Sequence, residues 1–146
     1  MSRYESYLIK AGLIYLVLTG VLGLLFSLQP QWSTYFRTTH LHLGFLGFFL
    51  SLVMGVAFWM MPRPGGLRQE KLEAVTFYLH NAGLLLRLIA EPWWRYSGDS
   101  RLKLLTAISA MLLLAAIAVF VWSMWQRVKT KEVIIGLRRV KQAESG

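Results

Sequence analysis

Four long apolar blocks constrain the fold of this chain more than any other feature of its sequence. They cover residues 8–28, 42–61, 74–89 and 104–125, and each is close to the length of a helix that crosses the ~30 Å core of a bilayer. Helices of a soluble bundle carry a polar face, which these blocks mostly lack. The sequence therefore predicts an all-α integral membrane protein, with residues 1–146 forming one domain folded as a four-helix bundle.

The distribution of positive charge predicts the orientation of this bundle. Four spans place the N-terminus, the second loop and the C-terminus on one side, and most of the sixteen Lys and Arg residues lie there. The opposite side holds Arg37, Arg95, Arg101 and Lys103. Because cytoplasmic loops are enriched in Lys and Arg, we expect both termini in the cytoplasm. We expect the basic tail, from about residue 128, to face membrane lipid and not nucleic acid.

A stripe of small residues follows the first histidine of the second block. From His40, steps of four, three, four and four residues reach Gly44, Gly47, Ser51 and Gly55, so all five share one helical face. Small residues at this spacing are typical of close helix–helix packing in membranes, and the pattern alone favours that interpretation. The alternative is a slot in which a flat macrocycle lies against bare backbone.

The third block carries a second set of polar residues on one face. His80, Gly83, Arg87 and Glu91 recur at intervals of three or four residues. An arginine within a span needs an anion, and Glu91 is a candidate because it lies one turn away. A buried anionic ligand is the other candidate. Haem would provide a partner for each of the two side chains. Its iron could bind His80, and its propionate carboxylates could pair with Arg87, which lies roughly 10 Å farther out along the helix.

All three histidines lie in or near the second and third blocks, and this concentration predicts a metal or haem site. The chain has no cysteine, and no carboxylate completes a tetrahedral set for zinc. Two histidines suffice for haem b. Measured from the outer tryptophans, His42 and His80 differ in depth by ~5 Å, which favours His42 as the second ligand. His40 instead shares the helical face of the small residues. Depth therefore favours His42 as the second iron ligand, and helical face favours His40.

The segment RTTHLHLGFLGFFLSLVMGVAFWMMPR, followed by FYLHNAGL, resembles small four-span relatives of haem–copper oxidase subunit I. These relatives belong to the lineage of cbb-type oxidases and nitric oxide reductases, and the resemblance covers about residues 40–84. It implies that haem b is the cofactor and that His42 and His80 ligate the iron, while the RTTH element keeps His40 as a candidate. With three histidines, the chain alone cannot also build the binuclear centre of those enzymes.

We therefore expect a multi-pass haem b protein of a bacterial inner membrane that is not a stand-alone enzyme. It would pass electrons, or bind a diatomic gas such as nitric oxide, beside a respiratory oxidase or nitric oxide reductase. The subunits of such an enzyme and a second copy of the chain are the expected partners. The expected haem contacts are His40, His42, Gly44, Gly47, His80, Gly83 and Arg87, with His42 and His80 on the iron.

The alternative is a cofactor-free accessory or assembly subunit of a respiratory complex. In that case the glycine stripe packs helices against each other and Arg87 pairs with Glu91.

Overall fold

A computed structural model describes residues 1–62, 69–125 and 127–128. Throughout these ranges the regular elements are helices: α1 (Arg3–Leu28), α2 (Ser33–His42), a π-helix (Leu43–Leu50), α3 (Ser51–Met60), α4 (Glu70–Ser97) and α5 (Ser100–Trp125). A 3₁₀ turn, Pro30–Trp32, precedes α2, and the stretch Pro30–Met60 is one continuous helical rod. The described residues therefore form four long helical rods, which confirms the predicted all-α architecture.

Neighbouring rods run antiparallel. A methyl group on Gly12 of α1 would lie 3.4 Å from Ser51 Cβ, and one on Gly23 would lie 3.5 Å from His40 Cε1, so residue numbers rise along one rod as they fall along the other. A methyl group on Gly83 of α4 would likewise meet Leu113 of α5. The order is up-down-up-down, as expected when short connections join consecutive helices.

The outward faces of α1 and α5 are apolar, although each helix also buries residues in the core. Val17 on α1 is 65% exposed and Met111 on α5 is 69% exposed. Among the described helices, Arg3–Leu28, Pro30–Met60 and Ser100–Trp125 are long and apolar enough to cross a membrane. Three of the four rods therefore have the length and the apolar composition of membrane-spanning helices.

The helix α4 differs because it buries polar side chains. Glu73, Thr76 and His80 are fully inaccessible, and Glu91 is 5% exposed. These residues lower the hydropathy of α4, but its 28 residues are long enough for a span. It begins at Glu70, before the apolar block at 74–89. The basic tail, which is expected to face membrane lipid, lies beyond residue 128 and so outside the described residues.

Close packing of α1 against α3 predicts that one added methyl group destabilises the bundle. A Cβ on Gly55 would lie 2.7 Å from Ile9 Cγ1 and 3.1 Å from the Ile9 backbone nitrogen. We expect Gly55→Ala to lower the free energy of unfolding by about 1 to 3 kcal/mol, because the backbone of α1 must move. The matched control is Gly20→Ala, where no atom lies within 4 Å and no loss is expected. Unfolding in mixed micelles with increasing dodecyl sulfate measures both, and equal stability of the two variants would contradict the close contact.

Candidate functional site

His80 lies in the core of the bundle, opposite the π-helix. Its side chain is fully buried, with Nε2 2.9 Å from Ser51 Oγ and the backbone carbonyl of Leu46 close to the ring. Ser51 is the first residue after the π-helix. A π-helix widens the helical turn and such segments are frequent at functional sites. Here the widened turn lies beside the imidazole.

His42 ends α2 and contacts a carboxylate of α4. Its Nδ1 lies 3.0 Å from Glu91 Oε2. Arg87 Nε lies 3.3 Å from the same oxygen, and Arg95 Nη2 lies 3.5 Å from Glu91 Oε1. The i,i+4 pair of Arg87 and Glu91, which the sequence offered as the alternative to a haem propionate, is therefore present. One nearly buried carboxylate faces two guanidinium groups and an imidazole.

These contacts fix the register of α4 against the second rod. In this register His42 and His80 do not lie close together. His42 is level with Glu91, whereas His80 is level with Ser51. His80 and Glu91 are eleven residues apart on α4, which corresponds to about 16 Å along the helix. This separation of His42 and His80 along the bundle exceeds the ~5 Å expected from the sequence. That expectation assumed that Trp32 and Trp93 lie at the same depth.

The difference arises from the length of the second rod. Pro30–Met60 contains 31 residues, which is about 46 Å of helix and longer than a bilayer core. Tyr35 contacts Tyr96, with ring centroids 5.8 Å apart. Trp32 therefore lies farther out than Trp93, and a depth scale that starts at Trp32 misplaces His42 relative to α4.

The predicted glycine contacts divide into two groups. A Cβ on Gly47 would lie 2.8 Å from Tyr15 Cγ of α1, and a Cβ on Gly83 would lie 3.0 Å from Leu112 Cβ of α5. Both glycines therefore allow close approach of helices. Gly44 lies against Thr19, with 3.4 Å between an added Cβ and Thr19 Cγ2, at the edge of a groove.

His40 lines this groove, which lies between α1 and the second rod and has a volume of about 380 Å³. The other walls are almost entirely apolar and comprise Thr19, Leu41, Gly44, Phe45, Phe48 and Phe49. The imidazole packs against Phe26, with ring centroids 5.5 Å apart. Its Nδ1 is buried and receives no hydrogen bond from any described residue. The Nδ1 atoms of His42 and His80 also lack a hydrogen bond among the described residues, but the His42 ring faces the carboxylate of Glu91 and the His80 ring faces the hydroxyl of Ser51.

The arrangement fits haem at His40 better than at the other two histidines. One nitrogen of the His40 ring, Nδ1, has no hydrogen-bond partner among the described residues, and the ring lines a groove with aromatic walls. Imidazole is a common axial ligand of haem iron. An iron shared by His42 and His80 does not fit, because their separation along the bundle is too large. Arg87 is paired with Glu91, which leaves it less suited to a propionate.

Two polar contacts between helices were missed from the sequence. At the end of the bundle that carries the N-terminus, Ser2 Oγ donates to the buried carboxylate of Glu73, and the guanidinium of Arg127 lies 4.0 Å from the same group. In mid-bundle, the partly buried Tyr15 Oη donates to Asn81 Oδ1 at 2.8 Å. The spacing of Glu73, Thr76 and His80 by three and four residues carried the first signal, because it places Glu73 on the inward face of α4.

The comparisons with known proteins identify no relative of this chain. No protein-family model, curated protein or solved structure matches it.

Proposed function

We propose that the chain is a multi-pass protein of a bacterial inner membrane, with four spans and both termini in the cytoplasm. The apolar outward faces of α1 and α5 support insertion, because a soluble protein rarely exposes so large an apolar surface. The buried polar face of α4 supports a fourth span, because polar groups in a membrane turn towards the bundle interior. The excess of Lys and Arg on the side of the termini supports the orientation.

Within this membrane domain we propose a haem b site at His40, and the single observation that supports it is an imidazole that lines the aromatic groove and whose Nδ1 has no hydrogen-bond partner among the described residues. Haem would supply an iron that accepts a histidine nitrogen and, at an open position, a diatomic gas. Phe26 packs on the ring of His40 and holds its orientation. The walls of the groove are almost entirely apolar, which suits the apolar face of a macrocycle.

If His40 held the haem iron, the chain would supply one histidine ligand to it. His42 and His80 are held by Glu91 and Ser51, so neither reaches the groove. An open position favours binding of a gas such as nitric oxide over simple electron transfer. The place of this activity beside a respiratory oxidase or nitric oxide reductase rests on the sequence resemblance.

The test is the haem content of purified variants. We expect wild-type protein produced with excess haem to be red and to change its absorption spectrum on adding nitric oxide. His40→Ala is expected to lose at least about nine tenths of the haem, because the axial bond is the main attachment. His42→Ala is the matched control and is expected to retain haem. Loss in His42→Ala and retention in His40→Ala would contradict the assignment.

The second candidate is a cofactor-free accessory or assembly subunit. It is favoured by the contacts of Gly47 and Gly83 with neighbouring helices and by the pairing of Arg87 with Glu91. Gly47, Gly83 and Arg87 were expected to contact haem, and in the structure they contact other helices or Glu91 instead. A colourless, stably folded wild-type protein after production with excess haem would favour this candidate over a haem protein.

A further inference from the structure

A line of buried polar side chains follows the inward face of α4. Glu73, Thr76 and His80 are all fully inaccessible to solvent, and their spacing of three and four residues places them on one helical face. In each side chain one polar atom has no hydrogen-bond partner among the described residues, namely Glu73 Oε1, Thr76 Oγ1 and His80 Nδ1. Because buried polar atoms are normally bonded to protein or to ordered water, this run of three atoms indicates bound water.

Helix geometry brings these side chains within reach of bridging water. Side chains of an α-helix point back towards its N-terminus, so His80 lies over Thr76, and Thr76 lies over Glu73. Neighbours at this spacing have Cβ atoms about 5 to 6 Å apart. Since Thr76 Oγ1 has no partner, no direct hydrogen bond links it to either neighbour. One water molecule can bridge polar groups that lie beyond direct bonding distance.

The line begins close to solvent, at the end of the bundle that carries the N-terminus. There the guanidinium of Arg127 lies 4.0 Å from Glu73 Oε1 and donates to Gln69 Oε1 at 3.0 Å. Gln69 is half-buried and lines a surface pocket at the beginning of α4. Polar groups therefore extend from this pocket into the core as far as His80.

The line ends at His80, because the next turn on this face of α4 is apolar. Leu84 is fully buried and belongs to a core cluster with Tyr15, Leu43 and Leu113. This apolar layer separates His80 from the ion cluster around Glu91.

The groups packed around the His80 ring leave Nδ1 as the atom that can accept a proton. Its Nε2 lies 2.9 Å from Ser51 Oγ, and the backbone carbonyl of Leu46 lies close to the ring. The other buried titratable side chains in this half of the described structure are Glu5 and Tyr15 on α1, Glu73 on α4, and Arg127.

We propose that water molecules bound between Glu73, Thr76 and His80 connect the His80 imidazole to solvent at the end of the bundle that carries the N-terminus. Chains of acidic residues and histidine within membrane spans commonly act as proton relays. His80 Nδ1 gains one proton and one positive charge for each proton that solvent water gives up, and hydroxide remains in the solvent. The apolar layer around Leu84 restricts this exchange to one end, which is cytoplasmic in the proposed orientation. The inference goes beyond the proposed function and does not require haem.

Exchange of the C2 hydrogen of histidine for deuterium tests this access. The hydrogen exchanges only when the ring is protonated and a base from water reaches C2, and mass spectrometry of peptides measures each histidine separately. We expect His80 to exchange in the folded protein despite its burial. Thr76→Val is expected to slow this exchange about tenfold, because valine keeps the shape and removes the hydroxyl group that binds water. Thr76→Ser keeps the hydroxyl group and is expected to exchange at the wild-type rate.

The matched control is Thr39→Val on the second rod. Thr39 is also a buried threonine whose hydroxyl has no partner among the described residues, but it lies one turn before His42, on the far side of the apolar layer. It is expected to leave exchange at His80 unchanged. Equal slowing in Thr39→Val, an unchanged rate in Thr76→Val, or no exchange of wild-type His80 while the unfolded chain exchanges fully would each overturn the proposal. Faster exchange in the less stable Gly55→Ala variant would also overturn it, because it would show exchange through unfolding.

Stability provides an independent measurement on the same variants. A dry, unpaired hydroxyl group in the core destabilises a fold, so without bound water Thr76→Val would be more stable than wild type. With bound water we expect it to be less stable, because valine removes a hydrogen-bond partner of that water. Dodecyl sulfate titration decides between these results, and a more stable Thr76→Val would refute the water line. Haem content separates the proposals, because a colourless protein with exchange at His80 refutes only the haem site.

Discussion

Replacing Arg127 by methionine is expected to lower the free energy of unfolding by about 3 to 5 kcal/mol, the usual effect of removing one partner from a buried ion pair. Arg127 is 3% exposed, and Glu73 beside it is fully buried. The guanidinium donates to the carbonyl oxygen of Phe58 at 3.2 Å and to Gln69 Oε1 at 3.0 Å. The side chain thereby joins α3 and the residue that precedes α4 to the end of α5.

The loss arises because the buried carboxylate of Glu73 would lose the guanidinium that lies 4.0 Å from it. Ser2 Oγ would still donate to it, but a hydroxyl group does not balance a charge. Dodecyl sulfate titration in mixed micelles, followed by circular dichroism, measures the change. The control Lys103→Met removes a cation from the exposed beginning of α5 and is expected to change stability by less than about 0.5 kcal/mol.

A double variant separates the charge from the packing. Glu73→Gln keeps an acceptor for Ser2 and removes the buried negative charge, so the pair Glu73→Gln with Arg127→Met is expected to be more stable than Arg127→Met alone. Strict additivity of the two losses would show that these residues do not interact.

Replacing Glu91 by glutamine is expected to lower the free energy of unfolding of the bundle by about 2 kcal/mol. Glu91 is 5% exposed and is the acid on which Arg87, Arg95 and His42 converge. Glutamine has nearly the same shape but no charge, so the two arginines would repel each other without a counterion. Bonds to charged groups contribute about 1.5 to 3 kcal/mol, and the partial exposure of both arginines keeps the loss below that of a fully buried pair.

The same dodecyl sulfate titration measures this loss, with Lys103→Met as the control. Lys103 is exposed at the beginning of α5, and its replacement is expected to change stability by less than about 0.5 kcal/mol. If Arg87 is also changed to methionine, part of the stability lost in Glu91→Gln should return, because one of the two uncompensated charges is gone. Equal effects at Lys103 and Glu91 would mean that the ion cluster does not stabilise the bundle.

Much of the fold could be predicted from residue periodicity. The apolar blocks indicated four helices, and the spacing of Arg87 and Glu91 predicted their pair because residues four apart on a helix are neighbours. The spacing of Gly47, Ser51 and Gly55 predicted one small-residue face, and that face does lie against α1. These features are local to one helix, so the sequence of that helix is sufficient to predict them.

The relation between helices was not accessible in the same way. Whether His42 meets His80 or Glu91 depends on how far one rod is shifted along the other, and a rod of 31 residues can be shifted by several turns against its neighbour. The π-helix between His42 and Ser51 also changes which residues face α4.

The sequence by itself determined that the chain is helical, that its outward surfaces are apolar and that its three histidines lie on two neighbouring rods. Only the tertiary structure decided that His42 contacts Glu91, that His80 contacts Ser51 and that His40 lines an apolar groove, with no hydrogen bond to its Nδ1 from the described residues. The physical reason is that helix formation depends on hydrogen bonds between residues four apart, which the local sequence encodes. The register of two packed helices depends instead on the fit of their whole surfaces.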